Sequence, residues 1–312
     1  MALDDAFVQT IIIGLANGLI YALVALGYTL VYGIIELINF AHGDVFMLGS
    51  MLSLTIFTMV GLTDQTPLLG AVLMIVAVLL AVMLATATLN VSIERFAYRP
   101  LRNAPKVAPL ISAIGVSFVL QNVGLIWKGP AVQGFENVIP NVNVLTTVLG
   151  LNTTIELTWK QLFVAAVTIP LLIGLTWFVK NTRQGKAMRA TAQDPNAAGL
   201  MGINVDRTIA LTFMLGGALA GAAGVVQILF NQATVYTLGF RFGLNSFTSA
   251  VLGGIGNLSG AVLGGIVLGL INAFSDRYLS AQWTNAIVFG VLIGILVFRP
   301  TGLLGQHLAD RA

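Results

Sequence analysis

The chain has 312 residues, 57% of them hydrophobic and 9% charged, with a formal net charge of +3 and no cysteine. A soluble globular chain carries about 25% charged residues, so this composition excludes a water-covered globule. Disorder is excluded too, because it requires low hydrophobicity. Without cysteine, disulfides, thiol catalysis and thiolate-bound metals are ruled out.

A helix crossing the hydrocarbon needs about 20 mostly apolar residues, and a charge inside it is costly. The gaps between charges therefore map the spans. In chain order they cover residues 6–35, 45–63, 65–93, 107–127, 161–179, 208–240, 242–275 and 278–298. These eight hydrophobic units predict an all-α fold, a polytopic membrane helix bundle of about eight transmembrane helices, forming one domain over residues 1–312. The first unit exceeds a secretory leader in length and is preceded by Asp4 and Asp5, not by basic residues, so it reads as a retained span. Continuous Leu/Ile/Val/Ala runs do not match the short alternating segments of a β-barrel.

Between the first two units lies IELINFAHGDVFMLG, which gathers Glu36, Asn39, His42 and Asp44. Ionisable groups at membrane depth are candidates for function. Asp44 precedes an apolar helix and suits its N-terminus. Capping or packing, and contact with a substrate, both stay open for this cluster. His42 and Asp44 alone make neither a metal site nor a catalytic base.

Two stretches carry most of the basic residues: 94–106, with Arg95, Arg99, Arg102 and Lys106, and 180–207, with Lys180, Arg183, Lys186, Arg189 and Arg207. Lys and Arg collect in short cytoplasmic loops, and two spans separate the stretches, so both are expected inside and residues 128–160 outside. Within 180–207, a short amphipathic helix is expected around 185–193. A break follows at Asp194-Pro195, with Asp194 as cap and Pro195 in the first turn, then a second helix over 196–202. Such a surface segment either docks a cytoplasmic partner or lies on anionic lipid.

The unit 242–275 is long and contains GGIGNLSG at 253–260. Gly253, Gly254, Gly256 and Asn257 are candidates for a helix break, as in discontinuous helices beside a transported substrate. A short loop between ordinary helices, or a kink, is the other reading. Asn257 and Ser259 are the capping candidates. Arg241, near the outer end of a span, reads as an interface anchor, with a substrate carboxylate or a docking protein as its other uses. Arg299 and Arg311 favour an inner C-terminus, whereas a simple eight-span count places it outside. Small residues four apart recur at Gly14/Gly18, Gly217/Gly221, Gly260/Gly264, Gly265/Gly269 and Gly290/Gly294, and they permit close helix contact.

No GxxxxGK[ST] phosphate loop, HExxH, GxSxG or TVGYG filter occurs. The chain is expected to be non-catalytic, to need no cofactor or metal, and to bind no nucleic acid.

The stretch GLIYALVALGYTLVYGIIELINFAHGDVFMLG, residues 18–49, resembles the LivH-type permeases of branched-chain amino acid ABC transporters. The resemblance continues through IERFAYRPLR (93–102), GKAMRATAQDPNAAGLMGINVDR (185–207), LTFMLGGALAGAAGVV (211–226), SAVLGGIGNLSGAVLGGIVLGLIN (249–272) and ILVFRPTGLLG (295–305). It covers nearly the whole chain and is weakest over 128–160. It implies a multi-pass protein of the bacterial plasma (inner) membrane and an importer working by alternating access. The partners implied are a related second permease, two cytoplasmic ABC ATPases and an extracytoplasmic binding protein. It also implies that 180–207 is the coupling loop, with Gly185, Arg189, Asp194, Pro195, Ala198 and Gly202 as ATPase-coupling residues. Of these, Arg189 is expected to touch the ATPase, while Gly185, Pro195 and Gly202 shape the loop. Relatives of this kind handle neutral amino acids, urea or short amides. A self-contained channel or ion-coupled carrier is the reading of a different class, and it predicts no ATPase genes nearby.

Overall fold

The computed structural model describes residues 3–36, 39–102, 104–105, 107–148, 150 and 153–305. Lys106 and Arg311, counted above among the basic residues, lie outside them. The elements in chain order are α1 (Leu3–Ile35), α2 (His42–Val60), α3 (Leu68–Ile93), a π-turn (Glu94–Tyr98), a 3-10 turn (Arg99–Leu101), α4 (Val107–Lys128), β1 (Gln133–Gly134), α5 (Val144–Thr147) and α6 (Trp159–Asn181). There follow α7 (Arg183–Gln193), α8 (Pro195–Leu200), α9 (Val205–Asn231), β2 (Ala233–Thr234), α10 (Leu238–Gly253), α11 (Leu258–Tyr278) and α12 (Thr284–Phe298). The fold is an all-α membrane bundle. Among the described residues seven helices are long and apolar enough to cross a membrane: α1, α2, α3, α4, α6, α9 and α11. The apolar α12 is shorter, at 15 residues.

The unit at 242–275 departs from a single span. It is two helices, α10 and α11, folded back on each other. Gly254 and Gly256 both have positive φ (105° and 90°) at the turn, a region that glycine enters without a Cβ clash. Asn257 accepts a hydrogen bond from the Gly260 N–H at 3.1 Å and starts α11. With this extra reversal the last described residues return to the end where α1 finishes. Leu303 and Leu304 donate their N–H groups to the Leu252 and Gly253 carbonyls at 2.8 and 3.0 Å. Residues 302–305 are thereby held beside the turn of the hairpin, at the end where α1 finishes.

Small residues explain how the helices close on one another. A Cβ built on Gly18 would stand 2.9 Å from the Gly265 carbonyl oxygen, and one on Gly265 would stand 2.7 Å from the Ala22 Cα. In this way α1 and α11 pack backbone to backbone. Gly217 and Gly221 receive Thr86 and Asn90 of α3, and Gly260 and Gly264 receive Gly253 and Ser249 of α10. Gly290 and Gly294 differ: among the described residues, nothing outside the helix's own backbone lies within 4 Å of their added Cβ positions. The core thus comprises α1, α2, α9, α10 and α11, with α3, α4, α6 and α12 on its flanks.

Contacts far apart in sequence define two faces. The first basic stretch meets the start of α9 through ion pairs of Arg99 and Arg102 with Asp206, and Arg102 also pairs with buried Glu94. At the opposite face β1 pairs with β2 in an antiparallel ladder, Gln133 opposite Thr234. There too the Gln9 side chain exchanges hydrogen bonds with the Glu156 backbone at 2.8 and 3.1 Å. The start of α1 therefore lies opposite the basic face.

Candidate functional site

The loop over 180–207 folds as its residues dictate. Thr182 accepts from the Gly185 N–H at 3.0 Å and starts α7. Asp194 accepts from the Asn196 and Ala197 N–H groups at 2.8 and 3.0 Å and starts α8, with Pro195 in its first turn. Gly202 sits at φ 84° and ends the pair, and Ala198 is buried beneath it. Gly185 is pressed against the end of α6: an added Cβ would stand 2.5 Å from the Phe178 carbonyl oxygen.

Arg189 has work within the chain that its sequence position does not reveal. Its guanidinium donates to the Val179 carbonyl at 2.5 Å and to the Lys180 carbonyl at 3.1 Å. These are among the carbonyls that a helix C-terminus leaves without partners, so Arg189 clamps α7 to the end of α6. The residues that stand free are ones that sequence reasoning passed over. Leu200 is 90% exposed and Met201 83% exposed, side by side at the end of α8 on the basic face. Two neighbouring large apolar side chains in a loop rich in basic residues were the available signal.

The seven translocation-path candidates fall in two places. Gly253, Gly254, Gly256 and Asn257 form the hairpin turn, where the Asn257 amide donates to the Leu304 carbonyl at 2.7 Å. Asn39, His42 and Asp44 lie deeper. An added Cβ on Gly27 would overlap the His42 ring, and Gly27 is two helical turns before the end of α1. With a rise of about 1.5 Å per residue, α2 therefore starts about 12 Å short of the level where α1 ends.

All three side chains are buried. The Tyr98 hydroxyl, on the π-turn, donates to Asn39 Oδ1 at 2.8 Å. The His42 ring meets Tyr28 edge-on at 4.9 Å. Neither of its nitrogens has a well-formed hydrogen bond, though the Val24 backbone faces it. Asp44 lies in the first turn of α2, where the helix dipole favours an anion. Ser117 of α4 donates to its Oδ2 at 2.5 Å, and Gln121 in turn donates to Ser117 at 3.1 Å. Asp44 Oδ1 is buried without a partner.

Ser117 and Gln121 open onto a cavity of about 500 Å³ between α1, α4 and α10, walled mainly by Tyr28, Phe40, Phe240 and Phe247. A second cavity of about 450 Å³ lies toward the opposite face among α1, α10 and α11, and it is polar where the first is aromatic. Tyr21 lines the polar cavity and packs on Phe242 at 5.3 Å, and Phe242 stacks on Phe46 at 5.2 Å. This aromatic stack sits between the two spaces. Among the described residues no cluster of three or more metal-ligating side chains occurs. The described residues thus present two cavities and, on the basic face, an exposed apolar pair at the end of α8.

Comparison with known proteins agrees with this architecture. The family model described as branched-chain amino acid transport system / permease component matches residues 10–297. The high-affinity branched-chain amino acid transport system permease protein BraD of Pseudomonas aeruginosa is 41% identical over 308 residues, covering 98% of each chain. The corresponding LivH protein of Escherichia coli K12 is 41% identical over 310 residues, covering 98% of this chain and 97% of LivH. A probable LivH of Methanocaldococcus jannaschii is 30% identical over 289 residues, covering 91% of this chain and 86% of its own. No solved structure matches the chain. The chain belongs to the family of permease components of branched-chain amino acid transport systems.

Proposed function

We propose that this permease carries branched-chain or other neutral amino acids inward across the plasma (inner) membrane as the membrane-spanning subunit of an ABC importer. A related second permease completes the passage, two cytoplasmic ABC ATPases drive it, and an extracytoplasmic binding protein delivers the substrate. The observation that carries the reading is the α7–α8 loop. It is rigidly capped, clamped to α6 by Arg189, and presents Leu200 and Met201 to solvent, as a surface for a separate motor requires. The substrate class is that of the similar permeases BraD and LivH. ATP binding would draw the motors together, move both loops and tilt the passage outward, and hydrolysis would reverse it. A ligand biases such an equilibrium only through unequal affinity for the two states.

Asp44 is the side chain to test within the passage. Asp44→Asn keeps its volume but removes the charge that Ser117 supports. The amide still accepts from Ser117, but a hydrogen bond to a charged group is worth about 1–1.5 kcal/mol more than a neutral one, so uptake is expected to fall about fivefold to tenfold at unchanged membrane abundance. Unchanged uptake would remove Asp44 from the passage.

The reading as a whole is tested by co-expressing the chain with its neighbouring transport genes and reconstituting the complex in proteoliposomes. Uptake of radiolabelled leucine is then measured. Uptake should require both ATP and the binding protein, and valine or isoleucine should compete. Solute movement by this chain alone, without nucleotide, would instead identify a channel or carrier.

A further inference from the structure

The polar cavity toward the opposite face is chemically unlike the rest of the bundle. Its wall takes Tyr21 from α1, Glu156 from the segment before α6, Arg241 and Asn245 from α10, and Asn272, Asp276 and Arg277 from α11. Polar side chains at membrane depth are costly unless paired, yet Asn245 and Asn272 are both buried there. Each donates its amide to the Tyr21 hydroxyl oxygen at 3.2 Å. A phenol that accepts two hydrogen bonds keeps its own proton to donate. Asn272 Oδ1 is buried with no partner. Asp276 is steadied by the Thr284 hydroxyl. Arg241 belongs to none of the ion pairs found among the described residues, which all lie at the basic face. Ala6 and Ile13 supply an apolar side to the same space.

We propose that this cavity is a receiving site on the permease itself for a free, zwitterionic amino acid. Arg241 takes the α-carboxylate, and Asp276 with Asn272 Oδ1 takes the ammonium. An Arg–carboxylate pair is directional and often bidentate, and a cavity lined by both a cation and an anion favours a ligand carrying both charges. Leucine amide and a simple fatty acid would each leave one of the two charges unmatched, and a site that hydrogen-bonds a substrate group discriminates against an analogue lacking it. Urea lacks both charges. Ala6 and Ile13 accommodate a short aliphatic side chain. The proposal rests on the importer reading and adds that selection is repeated after the binding protein has released its cargo.

The chain contains no cysteine, so a single introduced thiol reports locally. Asn285→Cys, on the cavity wall, is labelled in the reconstituted complex with a charged, membrane-impermeant thiol reagent, in the absence of binding protein. Millimolar leucine is expected to slow labelling of this chain severalfold, while leucinamide and isovalerate leave it unchanged. Arg241→Gln on the same background should abolish the protection, and Arg241→Lys should keep part of it. Gln9→Cys, facing the same cavity, serves as the second reporter and should behave alike. Labelling that leucine leaves unaffected at both positions, or that leucinamide slows equally, overturns the receiving site. Wild-type uptake measured in parallel separates the two ideas. Uptake without protection refutes only the receiving site, and absence of ATP-dependent leucine uptake refutes the importer reading.

Discussion

Replacing Leu200 and Met201 together by serine is expected to abolish ATP-driven uptake and the co-purification of ATPase subunits while leaving the permease folded in the membrane. Both side chains are almost fully exposed, so their loss changes the stability of the subunit little. If they enter an ATPase surface, each contributes about 1.5–3 kcal/mol of burial. Losing both costs about 3–6 kcal/mol, or about two to four decades in association. ATPase retention on the purified complex measures this directly. Full retention would detach residues 180–207 from the coupling role. Arg189→Glu is a less discriminating change, because it also removes the donors to the Val179 and Lys180 carbonyls.

Gly265→Ala and Gly290→Ala are expected to act in opposite directions. The new methyl at 265 would stand 2.7 Å from the Ala22 Cα and N, and backbone atoms of a packed helix have no rotamer to escape into. Overpacking of this kind costs about 1–3 kcal/mol, and the first and eleventh helices must separate to accept it. At 290 nothing among the described residues outside the helix's own backbone lies within 4 Å, and alanine stabilises a helix interior by about 0.5–1 kcal/mol over glycine. Thermal unfolding in detergent should therefore show a lower midpoint for Gly265→Ala and an unchanged or higher one for Gly290→Ala. A lower midpoint for both would mean that position 290 is packed after all.

The features that were legible in the sequence are those fixed by neighbours along the chain. Charge gaps marked the long helices, because lipid makes each charge costly over some 20 residues. Asp194-Pro195 and Gly202 bounded α8 because a cap, a fixed φ and a left-handed residue act locally. Asn257 was legible as a cap for the same reason. The rest depended on helices distant in sequence. Nothing near residue 42 shows that its ring fills the space left by Gly27, or that Asn39 meets Tyr98 across 59 positions. The fold-back at 254–257 was one of two open readings, and only the pairing of Gly253 with Gly260 and with the chain end decides it. The contacts of Arg189 with the end of α6 were not legible, because helical periodicity does not reveal that α7 returns onto α6. The Gly-pair motif looked the same at 265 as at 290, although one position is filled by another helix and the other is not.

The strap at residues 302–305 has a consequence for biogenesis. Leu252, Gly253 and Asn257 obtain hydrogen-bond partners from residues 303 and 304, about fifty positions downstream. A chain threaded into the bilayer from its N-terminus presents α10 and α11 before those partners have left the ribosome. The tip of the hairpin is therefore the last stitch of assembly, and a polypeptide stalled short of residue 303 would hold an otherwise inserted bundle whose inner end is still open to water and to proteolysis.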